Sequence, residues 1–165
     1  SHAIMKFYKS SHYIKRNEAW FNTYKALILT EIPSARVEHI GASAIAGAIS
    51  KGDLDIFVGI SMANHLTTIN KIEQLGFKVK ENTLRTKELC MLESISAEDI
   101  AIQVVVNGSE FESFVTFRDI LLTNHTTLTA YNQLKQDCSN LSSAEYRKIK
   151  SIFIEQVLKQ SLNSE

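Results

Sequence analysis

Asp53 and Asp55 stand two residues apart in the segment VEHIGASAIAGAISKGDLDIFVGI, residues 37–60. In an extended strand, alternate residues point to one face with Cα atoms roughly 6.5 Å apart. Two carboxylates so placed can share a hard divalent cation that prefers oxygen ligands, Mg2+ or alternatively Mn2+. Just upstream, Gly41, Ala42 and Ser43 have side chains small enough for backbone N–H groups to approach an anion, and Ser43 adds a hydroxyl donor. A helical turn opening directly after them would add its positive end. Lys51 can reach a phosphate as a point charge. A phosphate cradle followed by a carboxylate pair is what nucleotidyl or phosphoryl transfer needs. A plainer reading fits the same residues: a strand, a small-residue turn and a second strand with a polar edge. In it Asp53 is a turn acid and Lys51 a solvated turn residue, and spacing alone leaves both readings open.

The elements around this segment must position it. A helix is predicted over residues 18–30, with Asn17 as its N-cap and Trp20, Tyr24, Leu27 and Ile28 facing the core. Pro33 ends it, because the residue before a proline resists helical geometry. Residues 36–40 read as a short strand, 41–47 as a tight turn with a short helical turn, and 54–60 as an apolar central strand. Residues 61–75 read as a helix capped by Ser61 and stopped by Gly76. Strands follow at 77–80, 88–94 and 99–106. The last third reads as helical: one helix opening on a Ser109–Glu112 capping box, one over 128–138, and one opening on a Ser142–Glu145 box. Phe111, Phe114 and Phe117 recur at three-residue steps and read as one core face. The order implies an α+β or α/β fold rather than an all-parallel doubly wound one.

The chain of 165 residues has the size of one domain, read here as a single unit over 1–165 with a helical part from 109 onward. Lysine plus arginine equals aspartate plus glutamate, 18 each, so no net field draws the protein to nucleic acid. No apolar run approaches the ~20 residues that span a bilayer, so no membrane partner is expected. SHAI before Met5 reads as an expression scar. Cys90 and Cys138, without a CxxC spacing, point to a reduced cytoplasmic protein.

The residues also carry a resemblance. GAS followed by DLDI is similar to the signature of the nucleotidyltransferase superfamily. HIGASAIAGAISKGDLDIFV more narrowly resembles the GrpB-like family of predicted nucleotidyltransferases, whose pattern runs roughly H-I-G-S-T-x-V-P-G-L-x-x-K-x-x-x-D-I. NEAWFNTYKALI resembles that family's N-terminal helix, and FRDILLTN and YNQLK…YRKIKSIFI its C-terminal helices, so the likeness runs along nearly the whole chain. It implies an α+β fold, a mixed nucleotidyltransferase-like sheet with flanking helices and a C-terminal helical part. It further implies Mg-dependent transfer of a nucleotidyl group from an NTP to an unidentified acceptor.

On the resemblance Asp55 matches the family acid and Asp53 stands where many members have an apolar residue, so this chain has the fuller pair for the metal, with Gly41, Ala42, Ser43 and Lys51 at the triphosphate. His39 and Arg118 match family positions: His39 would contact a nucleotide or order the loop, or be a hydrogen-bonded half-buried histidine, and Arg118 would bind phosphate or pair with a carboxylate on the helix surface. Asp99 is the candidate third carboxylate on the strand DIAIQVVV, where Gln103 stands at a position many members fill with histidine. Ala42 replaces a family serine and Ala46 a family proline. With the third acid open, a nucleotide or phosphate-ligand binding protein without turnover is the alternative, as is a partner-docking module with a vestigial cleft.

Overall fold

The computed structural model describes residues 5–163; the SHAI segment lies outside them. The first helix, α1, spans Ile14–Glu31 and begins earlier than the sequence reading placed it. Asn17 is therefore not a cap. It is fully buried inside the helix, and its amide nitrogen donates to the carbonyls of Gly52 and Asp53, both at 3.2 Å. Those long-range acceptors decide its role where the local pattern suggested a helix start. Strand β1, Arg36–Ile40, follows, then a 3-10 turn at Ala42–Ala44 and strand β2, Leu54–Ile60. Another 3-10 turn precedes α2, His65–Gln74, without a side-chain cap from Ser61. Strands β3, Phe77–Val79, β4, Leu89–Ser94, and β5, Ile100–Val106, complete the sheet. Helices α3, Ser113–Thr123, α4, His125–Asp137, and α5, Ser143–Asn163, make up the rest.

The sheet runs β1-β2-β5-β4-β3, with β2 and β5 parallel and the other pairs antiparallel. It is the α+β arrangement expected. Strands β2 and β5 are almost wholly buried, as their apolar runs require. One face carries Leu54, Ile56, Val58, Ile100, Ile102 and Val104 and packs against α1 and α2. The other carries Phe57, Leu89 and Val105 under Phe111, Phe114 and Val115. Phe117 departs from that group and packs with Tyr131 and Phe153 among the helices, so the phenylalanine stripe serves two cores. Leu27 is 43% exposed, because the inward face of α1 runs through Asn17, Trp20, Phe21, Tyr24 and Ile28.

The two capping boxes part company. Ser142 accepts from the Glu145 N–H at 3.2 Å and donates to its carboxylate at 3.0 Å. The Ser109 box does not close: the Glu112 N–H donates to the Ser109 carbonyl at 3.1 Å and leaves the hydroxyl buried without a partner, while the Glu112 carboxylate turns to Arg36 and the Gly108 N–H. A charge-assisted pair outcompetes a local neutral cap. Helix α4 is capped by Asn124, which accepts from the Thr127 N–H at 3.0 Å. Cys90 and Cys138 are buried free thiols.

Candidate active site

The turn after β1 and the start of β2 meet at one point. Ile40 is in register with Asp55, which places Gly41 against the carboxylate. Gly41 has φ +76°, and a Cβ there would stand 2.6 Å from Asp55 Oδ2. Only glycine satisfies both conditions, so the backbone of the small-residue turn lies directly on the acid. The 3-10 turn that follows closes with Ala44 N–H donating to the Gly41 carbonyl at 3.1 Å. The acids are held from the other side by α1: Arg16 donates to the Gly52 carbonyl, and Asn17 to Gly52 and Asp53. Gly52, with φ +91°, turns the chain into β2 and donates its N–H to Ser50 Oγ at 3.0 Å.

Asp53 and Asp55 line a narrow cleft together with Ala42, Ser50, Lys51, Phe7, Tyr131, Lys135, Tyr146 and Lys150. The Asp55 carboxyl is pushed up to about 7, first by burial and then by the charge of Asp53; Lys150 and Lys51 oppose the rise. Asp99 sits just before β5, its carbonyl accepting from the Leu54 N–H at 2.9 Å. Burial and the Asp53 charge raise its carboxyl as well, against Lys51, Lys80 and Arg16. Among the described residues, however, no three carboxylate, histidine or cysteine groups converge as a metal cage.

Four other sequence candidates lie elsewhere. His39 shares the sheet face of Ile56, opposite the one carrying Asp55. Its ring stacks on Phe21 at 5.2 Å and its Nε2 lies 2.9 Å from Ser43 Oγ. Burial, aided by Arg118, pushes it down to about 4, so it is a neutral residue that orders the turn from behind. Ser43 is thereby buried, and the turn presents Ala42 to the cleft. Arg118 donates to the His39 carbonyl at 3.0 Å and pairs with Glu38 at 2.8 Å and Asp119 at 2.9 Å, riveting α3 to the edge strand. Gln103 is in register with Phe57 and Met91, one step along the face from Ala101 beside Asp55. Its Oε1 is buried with no hydrogen-bond partner.

The main residue that sequence reading missed is Lys135. It is 1% exposed, donates from Nζ to the Ile49 carbonyl at 2.6 Å, and sits 3.9 Å from the Tyr131 ring centre. Burial, with Lys150 and Lys51 adding to it against the charge of Asp53, brings its Nζ down to about 7. A signal was present: Leu128, Tyr131 and Lys135 share one helical face, so a lysine sits on the apolar stripe of α4. Lys150 of α5 also faces the cleft, while its neighbours Arg147 and Lys148 are exposed. Asn132 of α4 donates to the Gly47 carbonyl at 2.9 Å and accepts from the Ile49 N–H at 3.0 Å, docking the helix on the segment between turn and acids. A larger pocket of about 320 Å³ lies beyond the far end of β2, lined by Met62, His65, Leu66, Ile69, Arg85, Thr86 and Lys87. It has no carboxylate in its lining, and the acid chemistry belongs to the smaller cleft.

The profile of the GrpB protein family matches residues 11–160. A UPF0157 protein of Vibrio cholerae is 49% identical over 157 residues, covering 95% of this chain and 84% of its own length. A UPF0157 protein of Deinococcus radiodurans is 26% identical, covering 88% and 78%. In structure, the chain resembles the conserved protein GrpB from Enterococcus faecalis with a TM-score of 0.61 and 18% identity, over 93% of this chain and 98% of that one. It also resembles the RNA terminal uridylyl transferase Cid1 with a TM-score of 0.54 and 16% identity, over 78% of this chain and 40% of that one. The fold is thus nucleotidyltransferase-like, and among the described residues no helix is long and apolar enough to cross a membrane. From profile and close relative alike, the chain belongs to the GrpB family.

Proposed function

We propose that this cleft binds a nucleoside triphosphate with Mg2+ and transfers its nucleotidyl group to a hydroxyl acceptor. The observation that carries the reading is a pair of opposite charge sets that share one cleft without pairing. Among the described residues no ion pair joins Asp53 or Asp55 to Lys51, Lys135 or Lys150. The Asp55 carboxyl is raised and the Lys135 amine lowered, each toward neutrality. A cleft so arranged favours a ligand that brings both a cation and a polyanion.

The donor set fits a hard divalent ion: two carboxylates on adjacent same-face positions, one pressed against a glycine turn. Asp53 and Asp55 would hold it, and when bound it supplies charge neutralisation for the triphosphate and the departing pyrophosphate. The remaining tasks fall to the chain itself. Backbone N–H groups around Gly41 and Ala42 orient the phosphates, and Lys51 and Lys150 add positive charge along them. Asp99, beside Asp53, is the candidate for taking the acceptor's proton, since its raised carboxyl is a better base than an ordinary aspartate. Tyr131 and Tyr146 close the floor and exclude water.

A panel of NTPs with and without Mg2+ in thermal-shift measurements tests the reading. Stabilisation should require nucleotide and metal together and should vanish in Asp55→Asn; metal-dependent stabilisation that survives this substitution would overturn the metal assignment. A second reading, binding without turnover, is favoured by one feature: no third carboxylate joins the pair as a ligand cage among the described residues. Product formation separates the two.

A further inference from the structure

The groove of about 320 Å³ beyond the far end of β2 has two unlike sides. Met62, Leu66 and Ile69 recur at four- and three-residue steps, forming one stripe from the 3-10 turn into α2. Ile69 belongs to the core, whereas Met62 is 52% and Leu66 63% exposed, so the stripe leaves the core as an uncovered apolar floor. His65 beside it is buried and fixed, its Nε2 donating to the Val104 carbonyl at 3.0 Å. The facing side is the loop between β3 and β4, which presents Arg85, Thr86 and Lys87. That loop is braced at both ends. The Lys80 N–H donates to the Met91 carbonyl at 2.9 Å and the Thr83 hydroxyl to the Lys80 carbonyl at 2.7 Å. The Thr86 N–H donates to the Leu89 carbonyl and the Glu88 N–H to Thr86 Oγ1, each at 3.0 Å. Among the described residues no ion pair engages Arg85 or Lys87, and no carboxylate lines the groove.

We propose that this groove is a second binding site, for a small organic acid with an aliphatic body. Its carboxylate meets Arg85, Thr86 and Lys87, and its chain covers Met62, Leu66 and Ile69. Single exposed apolar side chains are ordinary, but a concave apolar floor facing two unpaired cations selects a ligand that carries both features. A guanidinium fork matches a carboxylate with two parallel hydrogen bonds, and the Thr86 hydroxyl can donate a further one. The floor holds no phenyl or indole ring, which suits an aliphatic chain rather than a base. A rise of about 3.3 Å per residue from Asp55 to Ile60 puts the groove at the opposite end of β2 from the acids. The site therefore stands independently of the reaction proposed for the acid cleft.

Octanoate titrated into the full chain tests the site, with affinity from calorimetry and location from backbone amide shifts in NMR spectra. Octanol and acetate titrated in parallel separate the chain from the charge. Octanoate should saturate, move the amides of residues 62–69 and 85–87, and bind more weakly as salt is added. Octanol and acetate should each bind at least about tenfold more weakly. Arg85→Gln combined with Lys87→Gln should lower octanoate affinity about tenfold, and Leu66→Asp should abolish it. All three side chains are exposed, so the variants should melt like the wild type; if one does not, the wild-type shifts still locate the site. No saturation by octanoate, shifts confined to other residues, or octanol or acetate bound as tightly as octanoate overturns the proposal. Asp55→Asn should bind octanoate like the wild type, so failure at the groove and failure of the acid cleft are told apart.

Discussion

One wall of the cleft comes from a single stretch of chain: the turn at Gly41, the clamp at Gly52 and the acids Asp53 and Asp55. The opposite wall is assembled from Tyr131 and Lys135 on α4 with Tyr146 and Lys150 on α5. The acid wall is fixed by backbone geometry, with two positive-φ glycines and carbonyls gripped by Arg16 and Asn17. The lysine wall is fixed by packing, with Lys135 buried against the Tyr131 ring and tied to Ile49. Burial works on both walls and shifts their groups in opposite senses. That symmetry makes the charged form of either group costly in the cleft, because each loses water without gaining the other.

The largest effect is expected where the acid wall depends on one atom. Gly41→Ala meets both the positive φ and the Asp55 oxygen, and it should destabilise the fold by about 2 kcal/mol or more. Chemical denaturation would measure this, and nucleotide-dependent stabilisation should disappear with it.

Asp55→Asn should abolish the metal-dependent nucleotide shift while stabilising the ligand-free chain at high pH. The sign follows from linkage: the folded value, about 7, lies above the ordinary 3.8, so the unfolded chain ionises first. Wild-type stability from this group is therefore full below pH 4 and is lost as pH rises toward 7. The variant's advantage should be present at pH 8 and absent at pH 4 in paired denaturation curves.

Lys135→Met should give the mirror profile. The folded value of about 7 lies below the ordinary 10.5, so in the wild type this group's penalty is full below pH 7 and relieved as pH rises toward 10.5. The substitution should flatten that rise. Equal slopes in variant and wild type would break the symmetry between the walls.

Smaller effects grade the lysine wall. Lys150→Ala should weaken nucleotide binding by about tenfold, on the order of 1.4 kcal/mol, while stability changes little. Lys148→Ala, two residues away on the exposed face, should leave both within about 0.5 kcal/mol. Binding titrations on the two variants make the comparison.

The strands and the acid pair were legible because their signals are local. Alternation at residues 53–55 and the small residues at 41–43 encode a turn against a carboxylate within one hairpin. Asn17 was misread because its amide serves carbonyls of residues 52 and 53, partners that no local window contains. Ser109 was misread for a similar reason: Arg36, distant in sequence, claims Glu112. His39 had the right neighbourhood but faces the other side of the sheet from Asp55, and Ser43 and Arg118 are bound to it, Arg118 by a contact no local window contains.

Pattern alone narrowed the chain to α+β or α/β and marked the acid pair, and the motifs gave the family and with it the α+β class, because periodicity and short-range turn chemistry are written residue by residue. Folding decided which lysines meet those acids. Leu128, Tyr131 and Lys135 lie on one helical stripe, and a stripe says which residues face inward without saying what they face. Only the docking of α4 and α5 over the turn brought Lys135 and Lys150 to Asp53 and Asp55. Burial there, a property of the assembled walls, set the charge states within the cleft.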